Sequence, residues 1–366
     1  MSTMKSNFWI VVDLISWAMA NTKIDLHAHY LPPIYRKSLH DHGYDHPDGM
    51  PAPPDWNVSA HLAFMQTNNI SKSILSISAP GIELSGDPKA NSQLASACND
   101  YGASLKQQYP EQLGYFAVLP LSDAEASIAE IHRLDSAVAK PDGYGLHTNS
   151  KGIYLGDPII RPILAELDKR RALVFLHPNT PCNYLTHQQD IEPYEKRYNE
   201  SQPLATFYPS PLYEFFFDSA RSIIDYILVG NTIRYPSIRW IISHSGGVLP
   251  SLIDRVAFFC RIKSTLRGLS ARDPLPVNES DVYAAFREHF WYDLAGLAVP
   301  NLMEAMLKFT GKERFVYGSD TPWTPWQGAA EITRQIERDI GVVVGEANVE
   351  VVLSGTAKGL IAGVKA

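Results

Sequence analysis

Eight short apolar, β-rich runs recur along the chain, at 24–29, 70–78, 114–121, 143–148, 173–178, 240–245, 290–294 and 314–319. Helix-patterned stretches lie between them, for example at 88–108, 122–139, 158–170, 211–231, 300–309 and 328–340. Strands that alternate with helices read as a parallel sheet, because each crossover returns the chain to the same edge. Eight such units imply an α/β fold closed into a (β/α)8 TIM barrel. An open doubly wound sheet is the alternative, but no G-x-G-x-x-G follows the first run, so its dinucleotide-binding form lacks the phosphate turn. No fixed-period sequence repeat and no linker or change of composition divides the chain, so 23–366 reads as one domain. Two connections are long for this architecture, 30–54 after strand 1 and 179–210 after strand 5. Both follow the carboxyl ends of strands, where barrel active sites are built.

Charge narrows the class of partner. Lys+Arg is 32 and Asp+Glu is 39, which leaves a formal charge of −7. That balance argues against a nucleic-acid-coating protein and against a polybasic membrane anchor. Hydrophobic residues make up 45% and charged residues 19%, a globular rather than a disordered composition. The three cysteines, Cys98, Cys182 and Cys260, show no CxxC spacing and read as buried thiols in a reducing compartment. Residues 8–20 are apolar apart from Asp13 and Ser16, and Ala18-Met19-Ala20 resembles a small-residue cleavage site. Against secretion, Asp13 interrupts the run and the first strand begins almost at once, at Lys23. Met19 is a possible second start. The expectation is a dispensable extension, 1–22, on a cytoplasmic protein. The run is too short to cross a membrane as a helix.

Chemistry concentrates at the ends of four runs. Asp25-Leu26-His27-Ala28-His29 closes the first, and residues i and i+2 of a strand point to the same side, so His27 and His29 form a chelating pair. The fifth run ends in His177-Pro178, the sixth in His244-Ser245-Gly246-Gly247, and the eighth in Gly318-Ser319-Asp320-Thr321-Pro322. In a closed barrel these four ends aim at one point. Separate, individually satisfied core residues are the competing explanation, and four metal-type endings at one face weigh against it.

The same four motifs resemble those of the metal-dependent amidohydrolase superfamily, and within it the aminocarboxymuconate semialdehyde decarboxylase branch, from about Lys23 to the C-terminus. In length and loop character the chain is most similar to fungal 6-methylsalicylate decarboxylases and their isoorotate-decarboxylating cousins. The resemblance implies that His27, His29, His177 and Asp320 bind a divalent metal, Zn2+ with Mn2+ as the alternative. It implies a catalytic histidine at His244, with Asp320 serving as ligand and as proton donor to the ring. Strand 4 ends Leu146-His147-Thr148 and offers no lysine for carbamylation, which suits a single metal ion; His147 reads as structural. Asp218 resembles a family acidic position and is expected to orient His244. Trp323 and Phe215 are expected to sandwich the ring of a small aromatic carboxylic acid. The implied reaction is non-oxidative decarboxylation of an ortho-hydroxy aromatic acid, 6-methylsalicylate to 3-methylphenol and CO2, in secondary (polyketide) metabolism. The alternatives are another ring acid such as isoorotate or a dihydroxybenzoate, a metal-dependent hydrolase of a lactone or cyclic amide, or an inactive metal-binding protein. The resemblance also implies a homodimer and, with the charge balance, neither a nucleic-acid nor a membrane partner.

Overall fold

In the computed structural model, which describes residues 21–181, 203–206, 208–262 and 277–363, the eight apolar runs form eight strands. They are β1 (Lys23–His29), β2 (Ile70–Ser76), β3 (Leu113–Val118), β4 (Gly143–His147), β5 (Leu173–His177), β6 (Arg239–Ile242), β7 (Phe290–Asp293) and β8 (Phe315–Val316). Each pairs in parallel with the next, in simple sequence order. The circle closes where the Leu26 N–H donates to Tyr317 O at 3.0 Å and the Ser319 N–H donates to His27 O at 3.1 Å. The result is a (β/α)8 barrel.

The barrel is filled rather than hollow. Ile24, Leu26, Ile74, Phe116, Phe175 and Ile241 pack together inside it, with Leu360 and Ile361 of the C-terminal helix Thr356–Ala362 in the same cluster. A second, larger core joins the outer faces of the strands to the surrounding helices. Helix starts follow local chemistry. The side chains of Asn57, Asp87 and Asp123 accept hydrogen bonds from first-turn N–H groups, and proline occupies the first turn of Pro33–Asp41, Pro88–Gln108 and Ser210–Leu228.

Three elements depart from the sequence reading. The connection 30–54 contains a helix, Pro33–Asp41, held down by buried Tyr35 and Leu39. The run 314–319 pairs as a strand only at Phe315–Val316, because the chain then folds onto β1: the N–H groups of Ser319 and Asp320 both donate to His27 O. The run 240–245 stops as a strand at Ile242 and becomes a tight turn, Ser243–Gly246. Most of the connection 179–210 and all of 1–20 lie outside the described residues, as does Cys182. Cys98 and Cys260 are buried. No single helix among the described residues is long and apolar enough to cross a membrane.

Candidate metal centre

Strict alternation along β1 puts Leu26 inside the barrel and His27 outside, yet both face inward. The register explains it. Asp25 pairs with Ser73 and Ala28 with Leu75, so β1 carries one more residue than β2 across this step. That β-bulge resets the alternation. Leu26 ends one inward-facing layer, and His27, whose ring lies 4.8 Å from that of Phe175, begins the next.

Four donors converge there. One ligand atom from each of His27, His29, His177 and Asp320 lies within 4.8 Å of the others. His27 Nε2 and His29 Nε2 are 3.2 Å apart, and Asp320 Oδ1 lies 3.2 Å from the first and 3.1 Å from the second. These spacings match the edge of a tetrahedron with metal–ligand bonds of about 2.0 Å, roughly 3.3 Å. The distal ring nitrogens settle which atoms face the centre. His27 Nδ1–H donates to Asp293 Oδ2 at 2.7 Å, and His177 Nδ1–H donates to Pro178 O at 2.7 Å. The Ser76 hydroxyl donates to Ala28 O, so His29 Nδ1–H donates to Ser76 Oγ at 2.9 Å. All three imidazoles therefore turn Nε2 toward one point beside a carboxylate, an arrangement suited to a shared cation. The donor set fits a divalent metal of the zinc or manganese type.

Electrostatics agree. Burial lowers His29 and His177 below the ordinary imidazole value, so both are neutral donors. Burial works against the charged form of Asp320 too, but the His27 charge and hydrogen bonds from His244, His27 and His29 outweigh it and hold the carboxyl well below its usual range. Burial would also lower His27, yet the Asp293 and Asp320 carboxylates raise it to about 10. Without metal, His27 therefore carries a proton at neutral pH, and a cation has to displace it. Metal affinity is expected to rise with pH, by about tenfold per unit between roughly pH 6 and 9, with one proton released per ion bound. Calorimetry in two buffers of different ionisation enthalpy reads that proton directly; affinity independent of pH would contradict it.

His244 stands beside this cluster, with Nε2 3.7 Å from Asp320 Oδ2. It sits in a left-handed turn (φ 53°), followed by Ser245 (φ 48°) and Gly246 (φ 80°). Gly247 completes the turn at φ 59° and ψ −121°, where a Cβ would lie 2.7 Å from Phe216 O. Such strain persists only where neighbours over-determine it. Here Asp293 does so: its Oδ1 accepts the His244 N–H at 2.9 Å and its carbonyl accepts the Ser245 hydroxyl at 2.8 Å. Gly318 is required nearby, since a Cβ there would come 2.7 Å from that of His27.

Asp218 does not orient His244. Its carboxylate is fully buried elsewhere, accepting hydrogen bonds from Thr148, from Asn149 at 3.0 Å and from Tyr154 at 2.5 Å, with Arg221 at 3.2 Å. His244 Nδ1 meets no partner among the described residues, and the ring lies instead against Phe216, 5.3 Å between centroids. The acid that braces the histidine is Asp293, which the sequence reading missed. Its signal was there: it closes a buried apolar run with a carboxylate, as Asp320 does. His147 is buried and pushed down to about 4, and it lies outside the donor set, its ring 6.1 Å from that of His177.

A cavity of about 340 Å3 opens onto His177, His244 and Asp320. Phe215, Phe216 and Trp323 form apolar walls. Its volume is at the small end for ligand pockets and suits one substituted ring. Asp48, from the connection after β1, also lines it, and Thr180 donates its hydroxyl to that carboxylate. No lysine or arginine lines it among the described residues.

A parallel barrel with three histidines and an aspartate at the carboxyl ends of its strands defines a metal-dependent barrel enzyme. Residues 24–360 match the amidohydrolase family, and the chain belongs to that family. It is 31% identical over 332 residues to a 6-methylsalicylic acid decarboxylase of Aspergillus aculeatus, covering 90% of this chain and 92% of that one. A solved amidohydrolase, 31% identical, superposes with a TM-score of 0.79 over 93% of this chain and all of that chain. The 5-carboxyvanillate decarboxylase of Novosphingobium aromaticivorans, solved with manganese and 4-hydroxy-3-methoxy-5-nitrobenzoic acid, shares the fold at 18% identity. Its TM-score is 0.75, over 93% of this chain and 96% of that one.

Proposed function

We propose that the chain is a metal-dependent carboxy-lyase that removes CO2 without oxidation from an ortho-hydroxy aromatic acid, 6-methylsalicylate, giving 3-methylphenol. The observation that carries the reading is a small, largely apolar cavity with the converging donor set at one end. With no lysine or arginine among the described lining residues, an aromatic carboxylate is neutralised there by a bound cation. The 6-methylsalicylic acid decarboxylase relative supports the choice of substrate.

His27, His29, His177 and Asp320 Oδ1 would hold the metal. When bound, it supplies a Lewis acid for the carboxylate and the adjacent phenolic oxygen. The chain's own residues do the rest. Phe215 and Trp323 hold the ring plane and exclude water. Replacing CO2 on the ring carbon requires a proton, and Asp320 Oδ2 is the oxygen placed to deliver it. Asp320 is ionised in the resting site, so it first has to be charged with that proton. His244 Nε2, 3.7 Å away, is placed to supply it, and the Thr324 hydroxyl, donating at 3.0 Å, fixes the orientation of Oδ2. The donor set suits Zn2+, and the manganese in a fold neighbour supports Mn2+ as the alternative. A homodimer would cover the exposed apolar side chains Leu212 and Leu297, which line the cavity.

The test is incubation of the Zn2+- or Mn2+-loaded protein with 6-methylsalicylate. CO2 and 3-methylphenol in equal amounts are expected. Hydrolysis of lactones with no CO2 from any ring acid would replace this reading with the hydrolase one.

Asp48 yields a prediction about selectivity. Burial pushes its carboxyl up to about 6, so at pH 7 it is ionised in the cavity wall. A second anionic group on the ring meets a like charge there. Asp48→Asn is expected to raise kcat/KM for a ring diacid, 2-hydroxyisophthalate, by about tenfold, or 1.4 kcal/mol, while 6-methylsalicylate changes less than threefold. Equal changes for both acids would remove Asp48 from substrate discrimination.

A further inference from the structure

The bulge that turns His27 inward has a structural cost. A bulged residue loses its place in the ladder, and its N–H needs another acceptor. For His27 that acceptor is the Asp25 side chain two residues back, with the N–H donating to Oδ1 at 3.1 Å. The same oxygen accepts the Ser319 N–H, also at 3.1 Å. Ser319 precedes Asp320, and its N–H is shared between Asp25 Oδ1 and His27 O. Asp25 is fully buried, and its second oxygen meets no partner among the described residues. One buried oxygen thus ties the bulge that aims His27 to the turn that carries Asp320.

We propose that Asp25 is a positioning residue that latches the β1 bulge to the turn after β8, setting two metal-binding side chains at their mutual distance. It acts as a hydrogen-bond acceptor and touches neither substrate nor metal. Without that acceptor, the buried His27 N–H is left unpaired and the Ser319 N–H keeps only His27 O, and the low-energy repair is to undo the bulge. Slipping β1 back into regular alternation would rotate His27, and His29 with it, out of the barrel, since a one-residue shift reverses the face of every side chain beyond it. The inference rests on the metal-dependent reading of the site, and its test separates the two.

The experiment is Co2+ titration of the metal-free full chain, followed by visible absorption, with thermal unfolding of the metal-free protein measured alongside. Wild-type protein is expected to bind Co2+ with the intense bands of a four- or five-coordinate ion. Asp25→Leu, similar in volume but unable to accept, is expected to raise the Kd by at least about 30-fold and to weaken those bands as the β1 histidines are lost. Asp25→Asn keeps an acceptor oxygen and is expected to stay within threefold of wild type with an unchanged spectrum. Wild-type affinity and spectrum in Asp25→Leu would overturn the latch. A tenfold loss in Asp25→Asn would overturn the acceptor role, and that variant decides alone should the leucine protein not fold. Failure of the wild-type chain to bind Co2+ at all would sink the metal-dependent reading itself.

Discussion

Asp320→Asn is expected to lower kcat for decarboxylation by about 10^3-fold at saturating metal, within the range general acid–base groups contribute. The substitution is nearly isosteric. The amide oxygen can take the place of Oδ1 toward the cation, and the amide can still meet the Thr324 hydroxyl that now donates to Oδ2 at 3.0 Å. What disappears is the second carboxylate oxygen as a carrier of a proton between His244 and the ring. Loss of the negative charge also weakens the hold on the ion, so metal content has to be measured on the same samples. The signature of proton delivery is a collapsed kcat with metal present and KM little changed. Turnover near wild type with one ion bound would show that some other group protonates the ring. His244→Asn provides the companion measurement. If His244 feeds Asp320, the double variant should be little worse than Asp320→Asn alone, because the two residues act on one proton.

The barrel was legible because its signal is redundant. Eight buried parallel strands must each be a short apolar run, and helices must separate them, so an error of a residue or two at any boundary leaves the architecture intact. The converging donors were legible for a related reason: a histidine or aspartate that terminates an apolar run is out of place unless something at the strand ends needs it. The β1 bulge was not legible. Period-two alternation places His27 and His29 together correctly, but it gives no warning that Leu26 and His27 share a side, because that depends on how β2 is registered against β1. The partner of His244 was misread for a similar reason. Asp218 lies in the helix Ser210–Leu228, beside the aromatic cavity wall, and carries the same side chain as Asp293. Only the three-dimensional path shows that its carboxylate is consumed by Thr148, Asn149, Tyr154 and Arg221, whereas Asp293 reaches both His27 and the His244 backbone. Sequence position identifies which residues arrive at the barrel mouth. The division of labour among them is set by contacts between strand ends far apart in the chain.

Asp293 allows that division to be taken apart, and its two substitutions are expected to fail differently. Its two carboxylate oxygens do separate work: Oδ2 accepts from the His27 ring at 2.7 Å, and Oδ1 accepts the N–H groups of His244 at 2.9 Å and Ala295 at 3.0 Å. Asp293→Leu removes both acceptors from a fully buried site, so kcat/KM is expected to fall by about 10^3-fold, through weaker metal binding and a relaxed His244 turn together. Asp293→Asn can keep one oxygen on the two backbone N–H groups, which leaves its amide NH2 facing His27. The ring nitrogen there must then accept, which moves the His27 proton to Nε2 and removes the lone pair that a cation needs. The asparagine protein is therefore expected to lose metal affinity by about 10- to 100-fold, yet to recover most of its kcat when flooded with metal. The leucine protein should not recover, because no concentration of metal rebuilds the turn that places His244 next to Asp320. Titrating activity against Mn2+ for the two variants, with bound metal counted at each point, distinguishes these outcomes. Identical curves for both would mean that Asp293 serves the metal ligand alone and that the strained histidine turn holds itself in place.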